Sequence, residues 1–253
     1  MNSPRSKYLV YTSAGDNSYV HYWLKRFDEQ KVEKNFDLWI TYYGDQENRY
    51  KEISDFYNMR KGAKFPNLLH VYQKWNTILA HYEAVFVMDD DIIIDCNGIN
   101  HLFEIRKKYD LWLLQPAFSP RGKISWPITK VDPSCFMRYT NFVENTCPLF
   151  RKDKLDDFMR FFDPILTGWG IDFWYHSFLG EHPQKIAIID AIPCINPHDS
   201  LKGCQREIER LEEESLSIEN FMKIKKRYNI QFEIKDGMFH MKQFSCVKRQ
   251  MLE

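Results

Sequence analysis

Residues 84–95 read AVFVMDDDIIID: five apolar residues, Ala84 to Met88, run into three consecutive carboxylates, Asp89, Asp90 and Asp91, and a second apolar run follows from Ile92. A short apolar run with a polar break suits an interior strand of an open α/β sheet. Ligands of such sheets gather at the carboxyl ends of the strands. Three adjacent carboxylates there repel one another unless a cation or hydrogen-bond donors neutralise them. Hard divalent ions such as Mg2+ or Mn2+, shared with phosphate oxygens, meet that need. A solvated acidic turn is the plain alternative, but it does not call for apolar runs on both sides.

Upstream, residues 7–13 (KYLVYTS) form a first expected strand, closed by turn chemistry at 14–17, and Ser18 can cap an amphipathic segment over 19–27. A small-residue loop between strand and helix lets the backbone approach a ligand closely. Neither GxGxxG nor a Walker sequence is present, which disfavours a dinucleotide or P-loop enzyme. Residues 36–43 (FDLWITYY) form a second strand ending at Gly44-Asp45, and 48–58 have a helical pattern. A basic loop over 61–67 then precedes a helix over 68–82; its Lys61 and Lys64 either face an anionic ligand or are simply solvated. Strand and helix alternate, as in a parallel sheet.

Downstream, Asn97 can cap a helix over 98–108, and 110–115 (DLWLLQ) is a strand. Residues 116–139 are rich in Pro, Ser and aromatics, the character of a functional loop, with Ser119, Arg121, Trp126 and Arg138 as acceptor-side candidates. A strand-like run over 142–150 and a helix over 153–162 lead to LTGWGIDFW at 166–174. There a glycine turn opens a helix with Asp172 in its first turn, where the helix N-terminus favours the anion. Trp169 and Trp174 flank it with flat faces suited to a sugar ring, or to a core. Residues 185–190 form a strand, and His198 lies on a Pro-bounded loop beyond it.

Lys+Arg and Asp+Glu balance at 35 each, which weighs against a protein built to grip nucleic acid backbone. The six cysteines show no CxxC and no metal-ligand spacing, and are read as reduced thiols in a cytosolic protein. The N-terminus lacks a signal-peptide core, and no run approaches the roughly 20 apolar residues of a membrane span. Residues 205–214 are acidic and helical, and KIKKR at 223–227 is basic with Phe221 and Tyr228 beside it. That segment is either a solvated helix packed on the main domain or a peripheral contact with an anionic membrane at its inner face. The expected division is a domain over 1–200 and a C-terminal helical extension over 201–253.

VMDDDIII resembles the strand–DxD–strand motif of GT-A glycosyltransferases, GWGID is similar to their GWG-acidic motif, and the PH of INPHD looks like their C-terminal metal-binding histidine. YTSAGD, KFPNL, DDDI, FVEN-CPLF, GWGIDFW and the trailing PH, in that order over 7–200, resemble a plant and bacterial glycosyltransferase-like family often mislabelled as lysine-ketoglutarate-reductase-related. The resemblance implies an α/β, GT-A-like (Rossmann-like), mostly parallel sheet flanked by helices. It implies that Asp89, Asp91 and His198 hold Mn2+ or Mg2+ on the diphosphate of a sugar donor, with a UDP-sugar favoured. Thr12, Ser13, Gly15, Asp16, Asp45, Lys64 and Asp90 fall at the donor site. Asp172 becomes the general base and Glu144 a second acidic group, acting on a saccharide or other hydroxyl acceptor, less readily a modified nucleic acid. Ile171-Asp172 stands where the better-known inverting enzymes carry paired acids. Two other classes share these residues: a metal-dependent phosphoryl-transfer or hydrolytic enzyme, which would turn over phosphate esters, and a non-catalytic nucleotide- or carbohydrate-binding module, indifferent to Asp172→Asn.

Overall fold

Alternating apolar side chains along the strands divide the core between two faces of one sheet. Leu9, Tyr11, Trp39, Val85 and Val87 point to one face, and Val10, Leu38, Ile40, Ala84 and Phe86 to the other. This period-2 pattern is that of strands covered on both sides. The computed structural model describes residues 3–28, 33–198, 214–231, 234–235 and 238–249. In chain order its elements are β1 (Tyr8–Ala14), β2 (Asp37–Tyr42), β3 (Phe56–Met59), α1 (Lys64–Lys74), α2 (Asn76–Leu79), β4 (Ala84–Val87), α3 (Cys96–Lys108), β5 (Leu113–Phe118) and β6 (Cys135–Thr140). There follow β7 (Leu149–Arg151), α4 (Lys152–Met159), α5 (Ile171–Leu179), β8 (Ile186–Cys194), α6 (Glu214–Arg227), β9 (Ile234–Lys235), β10 (Met238–Phe239) and β11 (Gln243–Lys248).

Nine strands form the main sheet in the order β11-β6-β8-β5-β7-β4-β1-β2-β3. The α/β class with flanking helices is as expected. The run β4-β1-β2-β3 is parallel, as is β5 with β8. Beyond β4 the sheet is mixed, because β7 pairs antiparallel with β4 and β5, and β6 pairs antiparallel with β8. Among the described residues no helix is long and apolar enough to cross a membrane.

Several local expectations are corrected. Residues 48–53 form turns rather than a helix, with Asn48 and Tyr50 at positive φ, and β3 follows as an edge strand pairing with β2. The helix expected from 68 begins at Lys64, with Pro66 in a first turn where its missing N–H costs nothing. Trp75, at φ −135°, separates α1 from α2. Asp95, not Asn97, caps α3 by accepting from Gly98 N at 2.8 Å. Only the end of 142–150 is strand; the bend before it delivers Glu144 to the site described below.

The C-terminal segment is not wholly helical. Helix α6 is present, but β11 joins the main sheet antiparallel to β6, and Cys246 of β11 is disulfide-bonded to Cys135 of β6. The expectation of six reduced cysteines is thereby overturned. Cys96, Cys147 and Cys194 are free and buried, and Cys204 lies outside the described residues, as does nearly all of the acidic 205–214 stretch. A disulfide suits an oxidising compartment, so the cysteines no longer support a cytosolic reading.

Arg138, an acceptor-side candidate by sequence, is instead a buried tie. Its guanidinium donates to both carboxylate oxygens of Asp190 at 2.9 Å each and to the carbonyls of Ile128 and Lys130. Asp190 also accepts from the backbone of Asp132. The pair therefore fixes the 128–132 segment against β6 and β8. Asp190→Ala strands a buried guanidinium and is expected to cost about 3–5 kcal/mol, seen as a fall of roughly 6–20 °C in the thermal unfolding midpoint. The double change Arg138→Met with Asp190→Leu is expected to recover much of that loss. A single mutant melting within a degree of the wild type would show that the tie carries no stability.

Candidate functional site

A cavity of about 470 Å³ opens at the carboxyl ends of β1, β2 and β4, the edge where open α/β sheets collect ligands. Ser13 comes to it from β1, Tyr43 from the end of β2, Lys64 and Phe65 from the start of α1, and Asp89 and Asp90 from just past β4. Gly62 and Ala63 before α1, Lys123, Ser125 and Trp126, the bend 144–146, the glycine turn 167–170, Asp172 and Phe173 of α5, and Asn196 complete it.

The acidic triplet divides by direction. Asp90 Oδ2 accepts from Gly15 N at 2.9 Å, and Asp90 O accepts from Tyr19 N at 2.7 Å, so the loop after β1 is laced to the end of β4. Asp89 pairs with Lys64 at 2.7 Å. The lysine ammonium also donates to the carbonyls of Asn145 at 2.6 Å and Thr146 at 3.0 Å, and its side chain is only 10% exposed. Asp91 turns into the protein, is buried, and does not line the cavity.

The expected three-ligand metal set is not assembled. Among the described residues no group of three or more His, Cys, Asp and Glu side chains is placed to hold an ion. An isolated bridge between Ile93 and Ile195 sets the chain so that Asn196 enters the wall, while His198 two residues on is exposed and outside it. Asp89 and Asp90 remain as adjacent hard-oxygen ligands on one wall. That donor set fits an Mg2+ or Mn2+ ion carried in on diphosphate oxygens, a mode that needs only one or two protein carboxylates. The ammonium on Asp89 marks the place of positive charge.

Of the other donor-side candidates, Ser13 lines the cavity and accepts from Asn67 Nδ2 at 3.0 Å. Thr12 is fully buried in β1. Gly15 lies behind the wall, where an added Cβ would meet the Tyr43 ring at 2.8 Å. Asp16 is bound by the Tyr42 hydroxyl, and Asp45 is exposed and pairs with Lys61 at 2.8 Å; neither lines the cavity. Ser119, Arg121 and Arg138 stay outside the wall, whereas Trp126 joins it. Trp169 is 40% exposed on the wall, but Trp174 is buried against Phe158, Phe162 and Tyr228 as a core residue. The sequence analysis did not single out Tyr43, Lys123, Ser125, Asn145, Thr146 or Asn196, although Asn145 and Asn196 lie within the FVEN and INPHD stretches.

The two remaining carboxylates share the cavity in unusual protonation states. Glu144 is buried; its Oε1 accepts from Thr146 Oγ1 at 2.7 Å, and its Oε2 has no hydrogen-bond partner. Burial pushes its carboxyl up to about 7, with the charges of Asp172 and Asp89 adding to the rise. Asp172 stands in the first turn of α5. Burial pushes it up to about 6, although hydrogen bonds from the amides of Phe173 and Asn145 and the charge of Lys64 pull the other way. The helix N-terminus keeps Asp172 mostly ionised at neutral pH, but less fully than position alone implies. Gly170 before it has φ 88°, and an added Cβ would meet the Phe221 ring at 2.3 Å, so glycine is required there twice over.

Both acids bind protons more readily in the folded chain than in the unfolded one. Their contribution to stability is therefore full below about pH 4 and is lost as the pH rises through 6 to 7. Glu144→Gln is expected to flatten this fall and to be the more stable protein at pH 8, by on the order of 2–3 kcal/mol. Thermal melts from pH 4 to 8 read it directly; parallel curves for variant and wild type would contradict the assigned burial cost.

No protein-family model matches the chain, and no curated protein matches it. Solved structures do resemble it. S. aureus TarS matches with TM-score 0.51 and 13% identity over 91% of this chain and 44% of that one. TarS 1–349 in complex with UDP-GlcNAc matches with TM-score 0.50 and 14% identity over 88% of this chain and 72% of that one. GalNAc-T7 with UDP, GalNAc and Mn2+ matches with TM-score 0.56 and 12% identity over 87% and 48%. This chain thus spans less than half of TarS and of GalNAc-T7. At such identities the likeness is one of fold, the mixed α/β fold of GT-A-type glycosyltransferases.

Proposed function

We propose that this chain is a glycosyltransferase that moves a sugar from a nucleoside-diphosphate donor to an acceptor hydroxyl, with inversion. The observation that carries the reading is one cavity holding Asp89, Asp90 and Lys64 beside Asp172 and Glu144. The first three form a charged wall suited to a diphosphate, and the last two are acids poised near neutrality, as proton transfer requires. The shared fold supports the reading, and the UDP and UDP-GlcNAc of the neighbouring structures favour a UDP-sugar.

Asp89 and Asp90 would hold Mn2+ or Mg2+, which supplies Lewis-acid neutralisation of the departing diphosphate. Asp172, mostly ionised at pH 7, accepts the acceptor's hydroxyl proton as its oxygen attacks the anomeric carbon and the diphosphate leaves with the bonding pair. Glu144, near half-protonated at that pH, donates to or accepts from a sugar hydroxyl according to need. Trp126 and Trp169 offer faces for a saccharide acceptor. The basic last turn of α6, with Lys225, Lys226 and Arg227, is the part of the chain suited to resting on an anionic membrane.

The test is a thermal-shift panel of nucleoside diphosphates with and without Mn2+, followed by transfer assays with the stabilising nucleotide's sugars. Stabilisation by UDP that is lost in Asp89→Ala is expected. Asp172→Asn is expected to lower kcat by about 10²–10⁴ while leaving UDP binding intact, and wild-type kcat/KM should rise with pH through an apparent pKa of about 6. Turnover unaffected by Asp172→Asn, or no response to any nucleotide, would remove the reading.

A further inference from the structure

Lys64 is the first residue of α1, and its ammonium has three donors. Asp89 Oδ1 at 2.7 Å, Asn145 O at 2.6 Å and Thr146 O at 3.0 Å supply three acceptors. The same Thr146 carbonyl accepts from Asp89 N at 2.8 Å. The cation is thus held in a cradle made by the end of β4 and the bend before β7, on the wall of the cavity and largely away from water. A lysine on a surface loop pairs loosely; one with every donor engaged and a side chain 10% exposed is a fixed charge.

This position has a consequence for any divalent ion. A metal approaching the Lys64-bound oxygen of Asp89 meets a unit positive charge 2.7 Å from that oxygen, in a cavity where screening is weak. An ammonium and a divalent ion sharing one carboxylate oxygen repel each other at close range, which weakens the metal's hold on Asp89. A diphosphate removes the conflict, because its anionic oxygens can accept the ammonium and bring ligands for the metal at the same time. Asp90, whose Oδ2 is engaged by Gly15 N, does not offer an equivalent alternative anchor alone.

We propose that Lys64 is the resident counter-ion of Asp89, held by Asp89, Asn145 O and Thr146 O in the nucleotide-free protein, and that a divalent cation gains Asp89 only together with a diphosphate that draws the ammonium off. The inference rests on the donor-site reading above and adds an obligatory order: nucleotide first or with metal, never metal alone. It also gives Lys64 two successive roles, lock for Asp89 and then clamp on the diphosphate.

Mn2+ binding followed by electron paramagnetic resonance of the free ion tests this without any turnover. Wild type without nucleotide is expected to bind Mn2+ at least tenfold more weakly than with UDP. Lys64→Met, which keeps length and loses charge, is expected to tighten nucleotide-free Mn2+ binding about tenfold or more and to weaken UDP. Lys64→Arg keeps the charge and should stay near wild type, and Asp89→Asn should abolish the gain in Lys64→Met. Wild-type Mn2+ affinity that is equally tight with and without UDP would overturn the proposal by itself, whether or not the variants fold. So would an unchanged or weaker Mn2+ affinity in a Lys64→Met protein that melts normally. Failure of UDP to bind under any condition would instead strike the donor-site reading, while the nucleotide-free comparison of wild type with Lys64→Met would still decide whether the ammonium excludes the metal.

Discussion

Lys64, Asp89, Asn145 and Thr146 meet where three elements finish or begin: α1 starts, β4 has just ended, and the chain bends before entering β7. The backbone ladder between β4 and β7 reaches this point through Val87 N to Pro148 O and Asp89 N to Thr146 O. The ammonium caps the ladder's open end, taking up the Asn145 carbonyl and sharing the Thr146 carbonyl with Asp89 N. Without a cation there, two carbonyl dipoles and a carboxylate would face one another in a partly desolvated space, which is costly. The interaction that shapes the cavity is therefore also the one that finishes the sheet.

The acids on the cavity wall give it its chemistry and its cost. Asp89 and Asp90 are each matched, the first by Lys64 and the second by Gly15 N. Asp172 is held by backbone amides at the start of α5, which partly offset its burial. Glu144 has the Thr146 hydroxyl on one oxygen and the Ser125 side chain beside it, with no backbone amides. Burial against few donors is what raises the proton affinities of Glu144 and Asp172. Stability above neutral pH is given up at Glu144 and Asp172, the two carboxylates whose burial brings their protons near neutrality.

How much of this the sequence disclosed depends on the range of the forces involved. The strand-forming run before Asp89 and the glycine turn before Asp172 are local patterns, and both were legible. Glu144 stood out as an acid in an apolar run, although its burial did not. The failures are non-local. His198 looked like a ligand through the resemblance and its Pro-bounded loop, but the bridge of Ile93 with Ile195 sets Asn196, not His198, in the cavity wall. Arg138 looked like a loop arginine until Asp190, 52 residues away, proved to be its partner. The pairing of Cys135 with Cys246 spans 111 residues and rests on the arrival of β11 beside β6, which no short motif announces. Lys64 was legible as a cation near the site, but not as a cation with all its donors engaged.

The last strands and helix also tie the distal sequence to the turn that carries Asp172. Phe221 of α6 sits on Gly170 and packs edge-on against Trp169, with ring centroids 5.1 Å apart, and it contacts Phe173. Phe239 packs on Phe142 and Phe173 from the same region. Gly170 is the residue immediately before α5, so the aromatic layer contributed by residues beyond 213 bears on the turn that aims Asp172. Trp169, on the same turn, is both a cavity face and the contact surface for Phe221. The C-terminal segment thus acts as part of the site's frame: β11 is anchored to β6 through the sheet and the disulfide, and α6 lies against the glycine turn. A helix that merely decorated the domain would not press on residue 170, where the positive φ and the Phe221 ring each disfavour a side chain.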